Sequence, residues 1–390
     1  MKKKYVLMSF VIVLSIFFIL SCKKNTSNEI IVGGLFDITG QTAETGTKFA
    51  EGIRSYIDFI NIKGGINGRK VRLIEYDTAY MTTRDLAAYD RLVNDDNAHL
   101  IIGWSTGGTT ALLPKIKKDK IPFTSVSLSK NLADVKIAPY NYLMAPTYSD
   151  QMKIIFKYIL SEWKDISRKP KVTLLYNDTE FGKSPVSDAR LYAEQMGIEI
   201  VSEEIVFLDA REAGDQIRRM KEKKPDYAII NETAWSASVI LKEAKKNNLK
   251  TRFIGLIWCT DEKVVAFSGK DAEGYMGVFP FLIDADIPGI KEIMKYNIQK
   301  NSTDFIPPVR YINGWVLVKV MLEGVRRAGD DLSHEGIING IESINDFSTG
   351  DITAPFSFSK TKHVGYKKVK LGRVLNGKWQ IITGFLSAEE

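Results

Sequence analysis

The chain has 390 residues, 44% hydrophobic and 26% charged, which is enough for two ordinary folded domains and excludes a low-complexity or fibrous chain. Formal net charge is +7, or +4 without Lys2, Lys3 and Lys4. The remaining basic runs (115–120, 221–224 and 242–250) have acids among them on expected helix ends and faces, so they read as solvated surface and not as a nucleic-acid stripe.

Residues 2–4 are basic, Tyr5 to Leu20 are largely apolar, and Ser21-Cys22 follow. A basic start, a short greasy centre and a small residue before the cut define a secretory signal over 1–21. A cysteine directly after the cut matches a bacterial lipoprotein signal. Cys22 is therefore expected to carry lipid, with 22–29 as a tether holding the protein to a membrane surface. The 16-residue run falls short of the ~20 residues that a spanning helix needs, which disfavours a transmembrane anchor. With Cys22 lipidated, Cys259 has no disulfide partner. No base stands near it in Leu256-Ile257-Trp258-Cys259-Thr260, so it reads as a buried small apolar residue.

Residues Ile30 to Phe36 read as a buried strand, Asp37 to Gly46 as a loop of small residues, and 47–63 as a helix with Phe49, Ile53, Tyr56, Ile57 and Ile60 on one face. Gly64-Gly65 stops that helix, and Ile66 to Lys70 turn the chain into a strand from Val71 to Asp77. A loop between a strand's carboxyl end and a helix start leaves backbone N–H groups free for an anion or carbonyl. It makes a cradle for a small molecule. No catalytic residue is evident in it, and no metal or cofactor is expected.

Strands and helices then alternate, as in α/β folds with helices on both faces of parallel sheets. Further strands are expected at Leu100–Trp104, Pro122–Ser127 and Tyr142–Ala145, joined by helices near 83–94 and 108–118. After a helix near 149–164 a second set begins: Val172–Asn177, Ile198–Val206, Tyr227–Asn231, Phe253–Trp258 and Tyr275–Pro280, with helices near 181–196, 212–222 and 234–246. Leu35 to Gly40 opens the first set and Leu175 to Gly182 the second, each placing a polar turn between a strand and a helix. The simplest architecture is two doubly wound lobes around a central cleft. Val369–Leu375, Asn376-Gly377 and Lys378–Thr383 read as a hairpin, because Asn-Gly supplies the positive φ of a tight turn.

Leu35-Phe36-Asp37-Ile38-Thr39-Gly40, Gly46, Gly52, Asn61, Gly64 to Arg69 and Asp77 resemble the opening signature of the leucine/isoleucine/valine-binding proteins, and the resemblance runs to about residue 330. It implies the type I periplasmic binding fold and the role of substrate-binding component of an ABC importer, with permease and ATPase subunits as partners. It also implies lobes that exchange segments: 30–146 plus 281–355 in the N-terminal lobe, and 147–280 plus 356–386 in the C-terminal lobe. A monomer is expected.

Gly103-Trp104-Ser105-Thr106-Gly107 follows a buried strand and matches the G-x-S-x-G pattern of a hydrolase elbow. A hydrolase also needs a histidine base. His99 lies on the same strand, about five extended residues of ~3.3 Å from Ser105, and His334 and His363 sit in polar contexts with no Gly-rich oxyanion segment. The binding reading is stronger. The resemblance makes Ser105, Ser127 and Ser129 contacts for a ligand's carboxylate, Phe181 an aromatic cover and Thr233 a second-lobe contact. It also implies an acid for a ligand's ammonium near Gly255 to Trp258, yet Ile257 and Trp258 occupy that place. Glu232 and Asp37 are the candidate substitutes. Otherwise the ligand lacks an ammonium, with Trp258 and Tyr80 as flat apolar walls. A ligand-sensing receptor of the same fold is the alternative function.

Overall fold

In the computed structural model, residues 29–301 and 304–389 are described; the expected signal segment and Cys22 lie outside them. Among the described residues no helix is long and apolar enough to cross a membrane.

The first lobe is a five-stranded parallel sheet of order β2-β1-β3-β4-β5, from β1 (Glu29–Phe36), β2 (Lys70–Asp77), β3 (Leu100–Gly103), β4 (Phe123–Ser125) and β5 (Asn141–Leu143). Its helices are α1 (Ala43–Ile62), α2 (Thr82–Asn94) and α3 (Thr106–Asp119). On β1, Ile30, Val32 and Phe36 enter one core and Ile31 and Leu35 the other. Both faces are covered, which explains the near-continuous apolar run.

The second lobe begins with α4 (Tyr148–Glu162). Its sheet contains β6 (Lys171–Tyr176), β7 (Glu199–Ile205), β8 (Tyr227–Asn231), β9 (Arg252–Gly255) and β10 (Met276–Phe279). These run parallel in the order β10-β9-β8-β6-β7, flanked by α5 (Glu180–Lys183), α6 (Val186–Met196), α7 (Gly214–Lys223), α8 (Ala234–Lys246) and α9 (Glu262–Ser268). Three further helices follow: α10 (Pro288–Asn301), α11 (Val309–Ala328) and α12 (His334–Glu342). α11 packs along α1 of the first lobe, with α12 beside it. The chain ends with β11 (Lys368–Leu375), β12 (Lys378–Ile381) and β13 (Leu386–Ser387). β11 pairs antiparallel with β10, β12 and β13, extending the second sheet. Before reaching it, the segment around His363 and Val364 runs along the β5 edge, where the Leu143 N–H donates to the His363 carbonyl at 2.8 Å.

In each lobe the strand order reverses beside the first strand in sequence, between β1 and β3 and between β6 and β8. In open α/β sheets the crevice outside the carboxyl ends at such a point is where ligands bind. Here the two crevices face each other.

Candidate functional site

Asp37 and Asp77 shape the loop after β1. Asp37 accepts from the Gly40 N–H at 2.6 Å and from the N–H and hydroxyl of Thr42 at 2.7 and 2.6 Å. Asp77 accepts from the amides of Ile38 and Ala79 at 2.9 and 3.0 Å. Thr42 in turn accepts from the Trp104 indole at 2.8 Å, which fixes that ring above the loop. After β2, Ala79 and Tyr80 both have positive φ (47° and 58°). Non-glycine residues held there cost on the order of 1–2 kcal/mol each, and the strain delivers the Tyr80 ring into the cleft.

At the end of β3, Ser105 caps α3, accepting from the Gly108 N–H at 2.9 Å, while its Oγ pairs with Asp85 at 3.2 Å. Thr106 and Ser127 share a hydrogen bond of 2.6 Å. From the second lobe, Thr233 caps α8 and Phe181 packs edge-on against Tyr148 with centroids 5.4 Å apart. The Trp258 indole donates to the Tyr148 hydroxyl at 2.7 Å and faces Trp104 across the cleft at 5.8 Å. Together these line a cavity between the lobes. The first lobe lines it with Thr42, Thr45, Tyr80, Trp104, Ser105, Thr106, Val126 and Ser127, and the rest of the wall is Tyr148, Phe181, Thr233 and Trp258. None of these side chains carries a charge at neutral pH. Larger openings elsewhere, such as that beside Trp163 and Lys221, lie at the amino ends of the second sheet's strands, away from both crevices.

Of the residues expected from sequence, Ser105, Ser127, Phe181, Thr233, Trp258 and Tyr80 come together on this wall. Ser129 does not line the cavity; it begins the turn Lys130–Ala133 and its amide points back to Ser127. Asp37 uses both carboxylate oxygens within its own loop, which corrects its reading as an ammonium partner. Glu232 lies fully buried beside the wall. Its Oε2 accepts from Asn177 at 3.2 Å, and its Oε1 has no hydrogen-bond partner among the described residues. Burial pushes its carboxyl well above the usual carboxylate range. Sequence reasoning missed Thr42, Thr45, Trp104, Thr106, Val126 and Tyr148. Thr106 adjoins Ser105 in the same motif, whereas nothing local marks Tyr148 as a wall residue.

The histidines are placed elsewhere. His99 Nδ1 accepts from the Ile31 N–H at 3.0 Å, His334 meets the Asp119 and Ala98 carbonyls, and His363 lies on the β5 edge. Ser105 has an aspartate, not an imidazole, as its side-chain partner, so the hydrolase elbow is not assembled.

Asp85 adds a pH dependence. Burial pushes its carboxyl up to about 7, against the hydroxyls of Ser105 and Thr78, which favour the charged form, and with Asp37 as the nearby like charge. An unfolded aspartate ionises near ~4, so between about pH 4 and pH 7 the unfolded chain gives up this proton while the folded one keeps it. Stability from this group therefore falls as pH rises through that window and levels off above it. Asp85→Asn is expected to flatten this part of the profile and to gain on the order of a few kcal/mol above about pH 8. Urea melts on both sides of the window check it, and a variant no more stable than wild type at the alkaline end refutes it.

Two lobes meeting over a hydroxyl-and-aromatic cavity at opposed switch points are the architecture of a solute-binding protein. The sequence profile of the periplasmic binding protein family matches residues 29–378, and the chain belongs to that family. It falls with the leucine/isoleucine/valine-binding group of type I fold, and as a periplasmic binding protein it is exported. It is 25% identical to the leucine-specific-binding protein of Salmonella typhimurium over 82% of this chain and 85% of that one. With the Leu/Ile/Val-binding protein of Escherichia coli K12 it is 24% identical over 69% and 72%. Its fold matches a branched-chain amino acid ABC transporter protein from Thermus thermophilus crystallised with valine, at TM-score 0.86 and 24% identity over 92% and 96% of the two chains. A substrate-binding protein of an Aeropyrum pernix ABC transporter matches at 0.85 and 26% identity over the same shares.

Proposed function

We propose that this chain is the extracytoplasmic binding lipoprotein of an ABC importer. It takes a branched-chain or other apolar amino acid, or a related small amide or carboxylate, by closure of the lobes, and passes it to a permease driven by an ATPase. Lipid on Cys22 holds it to the membrane. The observation that carries this reading is the hydroxyl-and-aromatic cavity between the two switch points, because hydroxyls serve either end of a small polar head while the rings cover an apolar tail. Water exclusion on closure strengthens each polar contact. The hinge runs through Ala145-Pro146-Thr147 and the segment around Phe279-Pro280-Phe281. For a ligand with an ammonium, the unpartnered Oε1 of Glu232, the residue before the wall residue Thr233, is the candidate acid in place of the one absent at Ile257 and Trp258.

A thermal-shift screen of amino acids, amides and small carboxylates tests the ligand class. A ligand at ~1,000 times its dissociation constant adds about 4 kcal/mol of stability, and a flat response to every solute refutes the reading. Ser105→Ala and Ser127→Ala are each expected to weaken binding of the solute so identified by about 1–2 kcal/mol while the protein stays folded. Unchanged calorimetric affinity in both removes them from the site.

A further inference from the structure

The cavity has a neighbour. A second chamber, with about 20 Å³ open to the centres of water-sized groups, lies on the hinge side, and the two share Val126 and Trp258 as walls. Its lining is mostly apolar, including Phe49, Leu128, Met144, Phe281 and Leu317. The Trp258 indole and the Val126 side chain thus stand on the border of both chambers.

The indole is held as a fixed wall. Its N–H donates to the Tyr148 hydroxyl at 2.7 Å, its ring leans on Trp104, and the buried Arg310 guanidinium sits 4.8 Å from its centroid. The turn that carries it is pinned as well. The Ile257 N–H donates to the Gln151 side chain at 3.1 Å, and the Ile257 carbonyl accepts from Arg310 at 2.8 Å. A side chain anchored at its edge, its face and its backbone does not swing aside for a longer guest.

We infer that Trp258 sets the length of ligand this protein accepts: a short guest occupies the hydroxyl-lined chamber, and the indole denies its tail the apolar chamber behind. The inference deepens the binding function proposed above and rests on it. Opening the partition turns the second chamber into a tail subsite, because its apolar walls reward each methylene taken from water.

The test is a titration of three straight-chain series, α-amino acids, carboxylic acids and primary amides, from about two to about eight carbons. Wild type is expected to bind best at the short end of at least one series and to lose affinity steeply beyond it. Trp258→Ala is expected to move the optimum by about two carbons or more and to bind the six-carbon member at least about tenfold more tightly than wild type does. Trp258→Leu gives a smaller shift and covers the case in which the alanine variant folds poorly. Adding Leu128→Phe to Trp258→Ala puts a ring into the lining of the second chamber and is expected to return the optimum to the short end, which a merely structural role for Trp258 does not predict. A folded variant with an unchanged optimum, or with all members weakened alike, overturns the partition while leaving the binding function intact. No binding of any member by wild type or variants overturns both.

Discussion

Replacing Arg310 with methionine is expected to destabilise the protein by about 3–5 kcal/mol, the cost of breaking a buried ion pair from one side. Arg310 opens α11, which packs on the first lobe, and Asp261 precedes α9 in the second. Both side chains are 1% exposed, and Nη2 lies 3.0 Å from the Asp261 carboxylate. The guanidinium also donates to the Ile257 carbonyl at 2.8 Å and to Asn313 at 3.1 Å. Without it, Asp261 keeps only the amides of Lys263 and Val264, both on its Oδ1, and its other oxygen faces a dry interior. The ion pairs Lys263–Glu44 and Lys130–Asp188 also join the lobes, but their members are partly or largely exposed, and such pairs contribute about 0–1 kcal/mol. The buried pair thus dominates the polar grip between the lobes. Urea melts of Arg310→Met, Asp261→Asn and the double variant measure it. The double is expected to lose less than the sum of the singles, because the second change removes the stranded charge. A loss below about 1 kcal/mol in Arg310→Met, at low and high salt alike, disproves the account.

The opening of the chain was legible because its signals are local. Apolar residues from Ile30 to Phe36, helical spacing from Phe49 to Ile60 and the Gly64-Gly65 stop correspond to β1, α1 and the turn into β2. The region around Trp258 was less legible. An apolar run does not tell a buried strand from a tight turn, and the expected strand to Trp258 ends at Gly255, with Ile257–Cys259 folded as a 3₁₀ turn. That break is what turns Trp258 into the cleft. The helix expected over 181–196 is two helices, α5 and α6, with Pro185 at the start of the second. Short α9 and α12 lack enough periodic positions to stand out. Site residues divide in the same way. Serines at strand ends are marked by their place in the βα unit. By contrast, the partners of Asp37 depend on the path of its loop, and those of Tyr148 on an approach of Trp258 from 110 residues away.

The second large effect is expected at Gly52 and Gly314, where α1 and α11 meet. A Cβ on Gly52 would lie 2.0 Å from the Tyr311 carbonyl oxygen, and one on Gly314 would lie 2.0 Å from that of Phe49. Each glycine receives the other helix's backbone, and neither obstacle is a side-chain tip that can rotate away. Alanine has the higher helix propensity by about 1 kcal/mol. Here that gain is outweighed, because the helices must part by more than an ångström and open the packing around the fully buried Trp315, whose ring meets Tyr56 edge-on at 5.2 Å. Overpacking of this kind costs about 1–3 kcal/mol for one methyl and more for a branched side chain. Gly314→Ala is therefore expected to lose about 2 kcal/mol and Gly314→Val more than about 3 kcal/mol. The consequence reaches the cleft, because α11 carries Arg310 four residues before Gly314 and Arg310 abuts Trp258. A helix pushed outward weakens the guanidinium's hold on Asp261 and on the indole, so folded Gly314→Ala protein is expected to bind its solute less tightly although residue 314 touches no part of the cavity wall. Combining Gly314→Ala with Arg310→Met should then cost less than the two separately, since both act through one contact. Strict additivity in urea melts would place the strain elsewhere along α11 and sever the helix contact from the cleft.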